Sequence, residues 1–169
     1  MEKHWHSVIR AANSADFPRI LALNAESVHF LSPLDLARLT MLNHAAPYHR
    51  VLEADGVVQA FLLALRPGAP YDSPNYRWFS ATYADFLYVD RIVVSENMQG
   101  RGAGLRLYDD LFQFARSSAI RLITCEFDVQ PPNPASERLH RRLGFREVGT
   151  QGVGPGNKRV SLQALTIDE

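Results

Sequence analysis

Charge of one sign, cysteine and long apolar runs are all scarce in this chain. Its 169 residues carry 18 basic and 18 acidic side chains and no net charge. No overall field therefore draws it to nucleic acid or an anionic membrane, and any polyanion must be recognised locally. The lone cysteine, Cys125, excludes an internal disulfide framework and fits a reducing compartment. In the apolar setting RLITCEF it reads as a small buried residue rather than a reactive thiol. No segment approaches the roughly 20 apolar residues of a membrane span. The start, MEKHWHSVIRAA, has no apolar signal core, so a cytoplasmic location without membrane partner is expected. A Gly-Lys pair is missing too, which excludes a phosphate loop of the G-x-x-x-x-G-K-[ST] type.

What is present is an apolar fraction of 46%, enough for one well-buried core, and a single domain over 1–169 is expected. HWHSVIRAA reads as a short strand. NSADFPRILALNAESVHFL reads as a helix with Asn13, Ser14 or Asp16 as cap. A second helix is expected over SPLDLARLTMLNHA, with Ser32 before Pro33 as start signal and Asp35 in the first turn. Asp55-Gly56 joins two apolar runs and predicts a hairpin. Residues 67–83, rich in Pro and aromatics, read as a long loop that packs on the core as a rim or walls a substrate site. DFLYVDRIVV, AGLRLYDDLFQFARSS and IRLITCEFDV then predict a βαβ unit. NPASERLHRRL is a short helix closed by Gly144, and FREVGTQ and KRVSLQALTI are closing strands around the turn GVGPGN.

The stretch SENMQGRGAG lies between the run ending at Val94 and the next helix. Gly100, Gly102 and Gly104 leave successive backbone N–H groups without side-chain cover, in front of a helix N-terminus whose donors and dipole favour an anion. A dinucleotide fingerprint does not fit, because its third glycine would fall on Leu105 or Leu107.

Gln99-Gly100-Arg101-Gly102-Ala103-Gly104 resembles the Q/R-x-x-G-x-G/A loop of the GNAT family of acyl-CoA-dependent N-acetyltransferases. NPASERLHRRLGF is similar to the family's late motif, with Asn133, Gly144 and Phe145 in place. The order of elements follows the family over nearly the whole chain. The resemblance implies an α/β three-layer fold, with a mixed, mostly antiparallel sheet splayed between strands 85–94 and 121–128 and flanked by helices. It implies acetyl-CoA as co-substrate and no metal. Ile92, Val93 and Val94 would lie beside the pantetheine arm. Gln99, Gly100, Arg101, Gly102, Ala103 and Gly104 would wrap the pyrophosphate, and Asn133 would meet the pantetheine or act purely as a helix cap.

The implied chemistry is direct attack of an amine on the thioester, which needs a base and an acid. Where family members often carry a tyrosine acid, this sequence has His140: it could donate to sulfur, contact the cofactor, or face water, with Arg138, Arg141 and Arg142 nearby to disfavour its protonation. Asp90, an acid in an apolar strand, reads equally as base, amine holder or salt-bridge partner. Glu26, Asp35, Glu126 and Asp128 are further acidic candidates. Tyr88, Tyr83 and Tyr76 could line the cleft, and an aromatic run with a carboxylate would suit a cationic amine. A small-molecule acceptor is expected; a non-catalytic acyl-CoA sensor and an acetyltransferase of protein N-termini or lysines are the alternatives. A homodimer could form through edge strands near 158–166.

Overall fold

A computed structural model describes residues 5–168. His4, at the head of the first expected strand, lies outside them. The elements are β1 (Ser7–Ala11), α1 (Phe17–Glu26), α2 (Leu36–Ala45), β2 (Tyr48–Ala54), β3 (Val57–Leu65), α3 (Pro74–Thr82), β4 (Leu87–Val94), α4 (Ala103–Ser117), β5 (Leu122–Gln130), α5 (Pro134–Leu143), β6 (Arg146–Gly152) and β7 (Arg159–Thr166). The strands form one sheet in the order β1-β2-β3-β4-β5-β7-β6, antiparallel except where β4 meets β5.

Local chemistry accounts for most boundaries. Asn13 caps a single 3-10 turn, Ser14–Asp16, in a reciprocal capping box with Asp16 before α1 begins. Asp55 and Gly56 both have positive φ (50° and 81°), as a two-residue hairpin turn of matching twist requires. α4 buries Leu107, Tyr108, Leu111, Phe112 and Ala115, one stripe at helical spacing, against β2, β3 and β4. Truncating Leu107 to Ala there would cost about 2–5 kcal/mol.

Four expectations are corrected. Residues 67–83 are not all loop: Ser73 accepts a hydrogen bond from the Tyr76 amide, Pro74 occupies the first turn, and α3 follows, with Asn75, Tyr76 and Phe79 buried. Ser-Pro is a helix start, and the aromatics take the first of the two expected roles, packing on the core, with Tyr76 and Phe79 doing so from a helix. α1 stops at Glu26 rather than Leu31, where 27–30 turn instead. α2 starts later than Ser32 suggested, because Asp35 is its cap, accepting from the Arg38 amide at 2.8 Å. β7 is no edge strand; it pairs with β5 on one side and β6 on the other, so the outer strand at that end is β6.

Helices α4 and α5 cover one face of the sheet and α1, α2 and α3 the other. Two details of β4 shape the centre. Its pairing with β3 skips Asp90, with Leu63 opposite Arg91 and Ala64 opposite Val89, which is a one-residue bulge. Its pairing with β5 is confined to Leu87↔Ile123 and Tyr88↔Thr124. Beyond these two pairs the strands diverge, leaving a cleft between 89–94 and 125–130.

Candidate active site

The bulge breaks the alternation of β4. Asp90 and Arg91, consecutive in sequence, both reach the α1/α2/α3 side: Asp90 accepts from the Tyr71 hydroxyl at 2.6 Å, and Arg91 donates to Asn24 Oδ1 at 2.8 Å and to Ser32. Arg91 Nε sits 2.6 Å from Asp90 Oδ2, with both side chains almost fully enclosed. Asp90 is thus engaged by two neighbours, and the salt-bridge role allowed by the sequence is the one its geometry displays.

Tyr88, at the last paired position, donates from its buried hydroxyl to Glu126 Oε1 at 2.9 Å. Glu126 is half-buried, but its Oε2 is sealed from solvent and has no hydrogen-bond partner among the described residues. Thr124 Oγ1, two residues earlier and on the same face of β5, is in the same condition. Burial, reinforced by the Asp90 carboxylate, pushes the Glu126 carboxyl up to about 8, against opposing pulls from Tyr88, Asn75 and Arg91. The result is a carboxyl at the cleft's apex that changes charge near neutrality. Burial also raises the Tyr88 phenol well above its ordinary range, so it stays a donor.

The opposite side of the cleft is built differently. Ile92 and Val94 pack on the α4 core while Val93 turns to the other face. From β4 the chain passes Gln99, whose amide donates to the Val94 carbonyl at 3.3 Å, and reaches Gly100 and Gly102 at φ 73° and 80°. These two glycines are conformational, and the space at their Cβ positions is open for 4 Å. Gly104 differs: it lies where α4 meets α5, and a Cβ there would make ordinary contact with Leu139 at 3.4 Å. Gly102 caps α4 without a side-chain hydrogen bond, which leaves the first helical amides, from Ala103 and Gly104, uncovered. Arg101 is exposed, its guanidinium 5.5 Å from the Trp5 ring centroid.

Asn133 accepts from the Ser136 amide as the cap of α5. His140 is enclosed by Tyr108, Phe127 and Phe145, 2% exposed. Its Nδ1 lies 2.7 Å from the Ser136 carbonyl, which only accepts, so Nδ1 carries the hydrogen. Nε2, 2.6 Å from the Tyr108 hydroxyl, is then the acceptor. Burial lowers the proton affinity of the ring. A neutral imidazole with both nitrogens engaged inside the protein is poorly arranged to protonate a leaving group.

The remaining candidates scatter. Glu26 is exposed and faces Arg19 at 4.0 Å, and Asp35 is the α2 cap. Tyr76 is buried, receiving the Ala69 amide and donating to the Arg66 carbonyl. Tyr83 stacks on Phe79, and Asp128, near the end of β5, pairs with Lys158 at 3.2 Å. Glu126, one of the further acidic candidates, stands at the apex beside Tyr88, and Asn75 and Arg91 near it were not among the candidates. The available signal was a charged residue inside the apolar run LITCEF, on the strand that flanks the opening.

Residues 6–145 match the model of the Acetyltransferase (GNAT) family. The chain belongs to the GNAT acetyltransferase family. An L-methionine sulfoximine/L-methionine sulfone acetyltransferase of Pseudomonas aeruginosa is 29% identical to this GNAT acetyltransferase over 162 residues, covering 89% of this chain and 86% of its own length. A phosphinothricin N-acetyltransferase of Streptomyces coelicolor is 42% identical over 59 residues, 35% of this chain and 33% of its own. A solved structure from Salmonella typhimurium, holding its cofactor acetyl-CoA, shares the fold with a TM-score of 0.71 at 24% identity, over 97% of this chain and 95% of that one. Among the described residues of this acetyltransferase, no group of three or more His, Cys, Asp and Glu is placed to hold a metal ion, and no helix is long and apolar enough to cross a membrane.

Proposed function

We propose that this acetyltransferase moves the acetyl group of acetyl-CoA to the primary amine of a small, amino-acid-like acceptor, with Glu126 as proton acceptor. The observation that carries this reading is the sealed, unpartnered Oε2 of Glu126 at the point where β4 and β5 part. A buried acceptor atom without a donor is costly unless a ligand supplies one, and an ammonium supplies N–H together with an opposite charge. The acceptors named for the Pseudomonas and Streptomyces relatives support the amino-acid-like class.

The α4 side fits the co-substrate. Open Cβ positions at Gly100 and Gly102 and the uncapped amides of α4 suit a diphosphate, and the β4 edge that β5 leaves free suits an extended amide-bearing arm. Acetyl-CoA, when bound there, supplies the thioester carbonyl that the amine attacks and the thiolate that departs. On the α3 side, Glu126 near 8 is matched to an α-amino group, whose reference value is about 8. Its carboxylate takes the ammonium proton and leaves a neutral nucleophile. Tyr88 donates to Oε1 and holds the carboxylate in place, so that Oε2 is the oxygen left to accept. Arg91 and Tyr71 keep Asp90 fixed beneath them. His140 serves as a packing and hydrogen-bonding centre between α4 and α5.

The test is release of CoA thiol from acetyl-CoA with a panel of small amines that includes L-methionine sulfone. Turnover with an amino-acid-like amine, rising with pH toward about 8, is expected. Absence of thiol release with every amine, in protein that binds acetyl-CoA, would refute the reading.

A further inference from the structure

β5 presents its residues to the two faces of the sheet in turn. Cys125 packs in the α4 core and Phe127 stacks on His140, so Glu126 and Asp128 point to the α3 side. β7 alternates likewise. Its Val160 and Leu162 pack with Tyr76 and Tyr88 on the α3 side, and Lys158, two residues before Val160, brings Nζ to 3.2 Å from Asp128 Oδ2. Lys158 therefore stands on the same side as Glu126, one alternate position along β5 toward the open end of the cleft.

The contact between Lys158 and Asp128 is one of charge. Asp128 Oδ2 is sealed and has no hydrogen-bond partner among the described residues. The ammonium keeps three donors, and a third of the Lys158 side chain is exposed. Arg91 cannot take a further anion, because Asp90, Asn24 and Ser32 engage its guanidinium in an enclosed site. Lys158 also lines a recess with Gln130, Gly152, Gly156, Asn157 and Arg159, and none of these residues is an acid. Two cations and two amides there suit an anionic group of a ligand.

We propose, resting on the role of Glu126 given above, that Lys158 receives the carboxylate of the acceptor while Glu126 takes its amine, so that the acceptor is an α-amino acid rather than a simple amine. The spans agree. Alternate residues of a strand lie about 6.7 Å apart, and the 3.2 Å contact with Asp128 sets the ammonium somewhat beyond that. An α-amino acid measures about 3 Å from nitrogen to carboxylate oxygen. With a hydrogen bond of about 2.8 Å at each end it bridges roughly 8–9 Å. Asp128 balances the charge of Lys158 and anchors it from β5, which leaves the ammonium donors for the incoming carboxylate.

The test compares two acceptors, L-methionine sulfone and its decarboxylated counterpart methylsulfonylpropylamine, in wild type, Lys158→Met and Lys158→Arg. In kcat/KM, wild type should favour the amino acid by about 10–100-fold, the worth of one hydrogen bond between charged groups. Lys158→Met should lower that ratio by about tenfold or more, through KM for methionine sulfone, and Lys158→Arg should keep most of it. Comparing ratios between proteins cancels the different basicity of the two amines. If Lys158 only supports the turn, both amines suffer alike; an unchanged ratio in Lys158→Met overturns the inference while the role of Glu126 stands. Should Lys158→Met fail to fold with Asp128 left unpaired, the double variant Asp128→Asn/Lys158→Met decides in its place. Wild type that binds acetyl-CoA and acetylates neither amine refutes the acceptor class itself, and the role of Lys158 falls with it.

Discussion

Replacing Glu126 by Gln gives the sharpest test of the electrostatics at the cleft, because it is read from stability and needs no substrate. In the folded protein the Glu126 carboxyl is held up to about 8 from an ordinary 4.5. Its pKa is raised on folding, so between those values the folded state binds more protons than the unfolded chain, and stability must fall as pH rises through that window. One pH unit of such a difference corresponds to about 1.4 kcal/mol. From pH 6 to pH 8, with the folded group half ionised at the upper end, the loss has a ceiling of about 2 kcal/mol. Partial exposure of the side chain brings this to roughly 1–2 kcal/mol, and at about 2–4 °C per kcal/mol for a domain of this size the melting temperature should drop by roughly 2–8 °C. The amide introduced by Glu126→Gln does not titrate, so the same change of pH should cost the variant less by that amount. The assay is thermal unfolding of both proteins at pH 6 and pH 8 under equal ionic strength, read as a difference of differences so that all other titrating groups cancel. Parallel pH dependences would show that Glu126 is an ordinary carboxylate, and the matching of its proton affinity to an amine would fall with it.

Gly102→Glu places a side chain and a negative charge in the open cradle at φ 80°. Acetyl-CoA at about 100 times its Kd should stabilise wild type by roughly 2.7 kcal/mol, and this thermal shift should vanish in the folded variant; an undiminished shift would put the cofactor elsewhere. Gly149→Ala forces a Cβ onto Trp78 and should destabilise by about 1–3 kcal/mol. Adding Trp78→Phe should recover part of that loss in denaturant unfolding, and additivity of the two would refute the contact. Arg91→Leu leaves Asp90 without its cation in an enclosed site and should cost about 3–5 kcal/mol. Pairing it with Asp90→Asn should restore a measurable fraction, since residues in direct contact couple.

The glycine loop, the late Asn-Pro helix and the order of elements were legible in the sequence because backbone requirements write themselves in few residue types. Gly100 and Gly102 stand where φ is positive, Asn133 where a helix needs a cap, and Gly144 where α5 ends at φ 95°. The chemistry on the α3 side was less legible for a physical reason. Whether Asp90 or Glu126 is the acid with a free oxygen depends on which of them finds a guanidinium, and that follows from where the bulge turns Arg91. His140 matched a catalytic position by spacing, but its role depends on the Tyr108 hydroxyl and the Ser136 carbonyl that fold against it. The long aromatic segment left two roles open because Tyr76 and Phe79 look alike as a pocket wall and as a core face, and packing on the core is the one the structure displays.

The bulge at Asp90 implies that the placement of Asp90 and Arg91 on one face of the sheet is encoded by a count of residues. No point substitution in β4 removes the extra residue. Deletion of Asp90 would restore strict alternation, with the residues on either side keeping their faces and Arg91 left enclosed without its carboxylate. The same change would relieve the local twist of β4 against β3. For mutational tolerance, the length of this strand matters beside its composition, because the extra residue is what seats an acid and its guanidinium partner side by side.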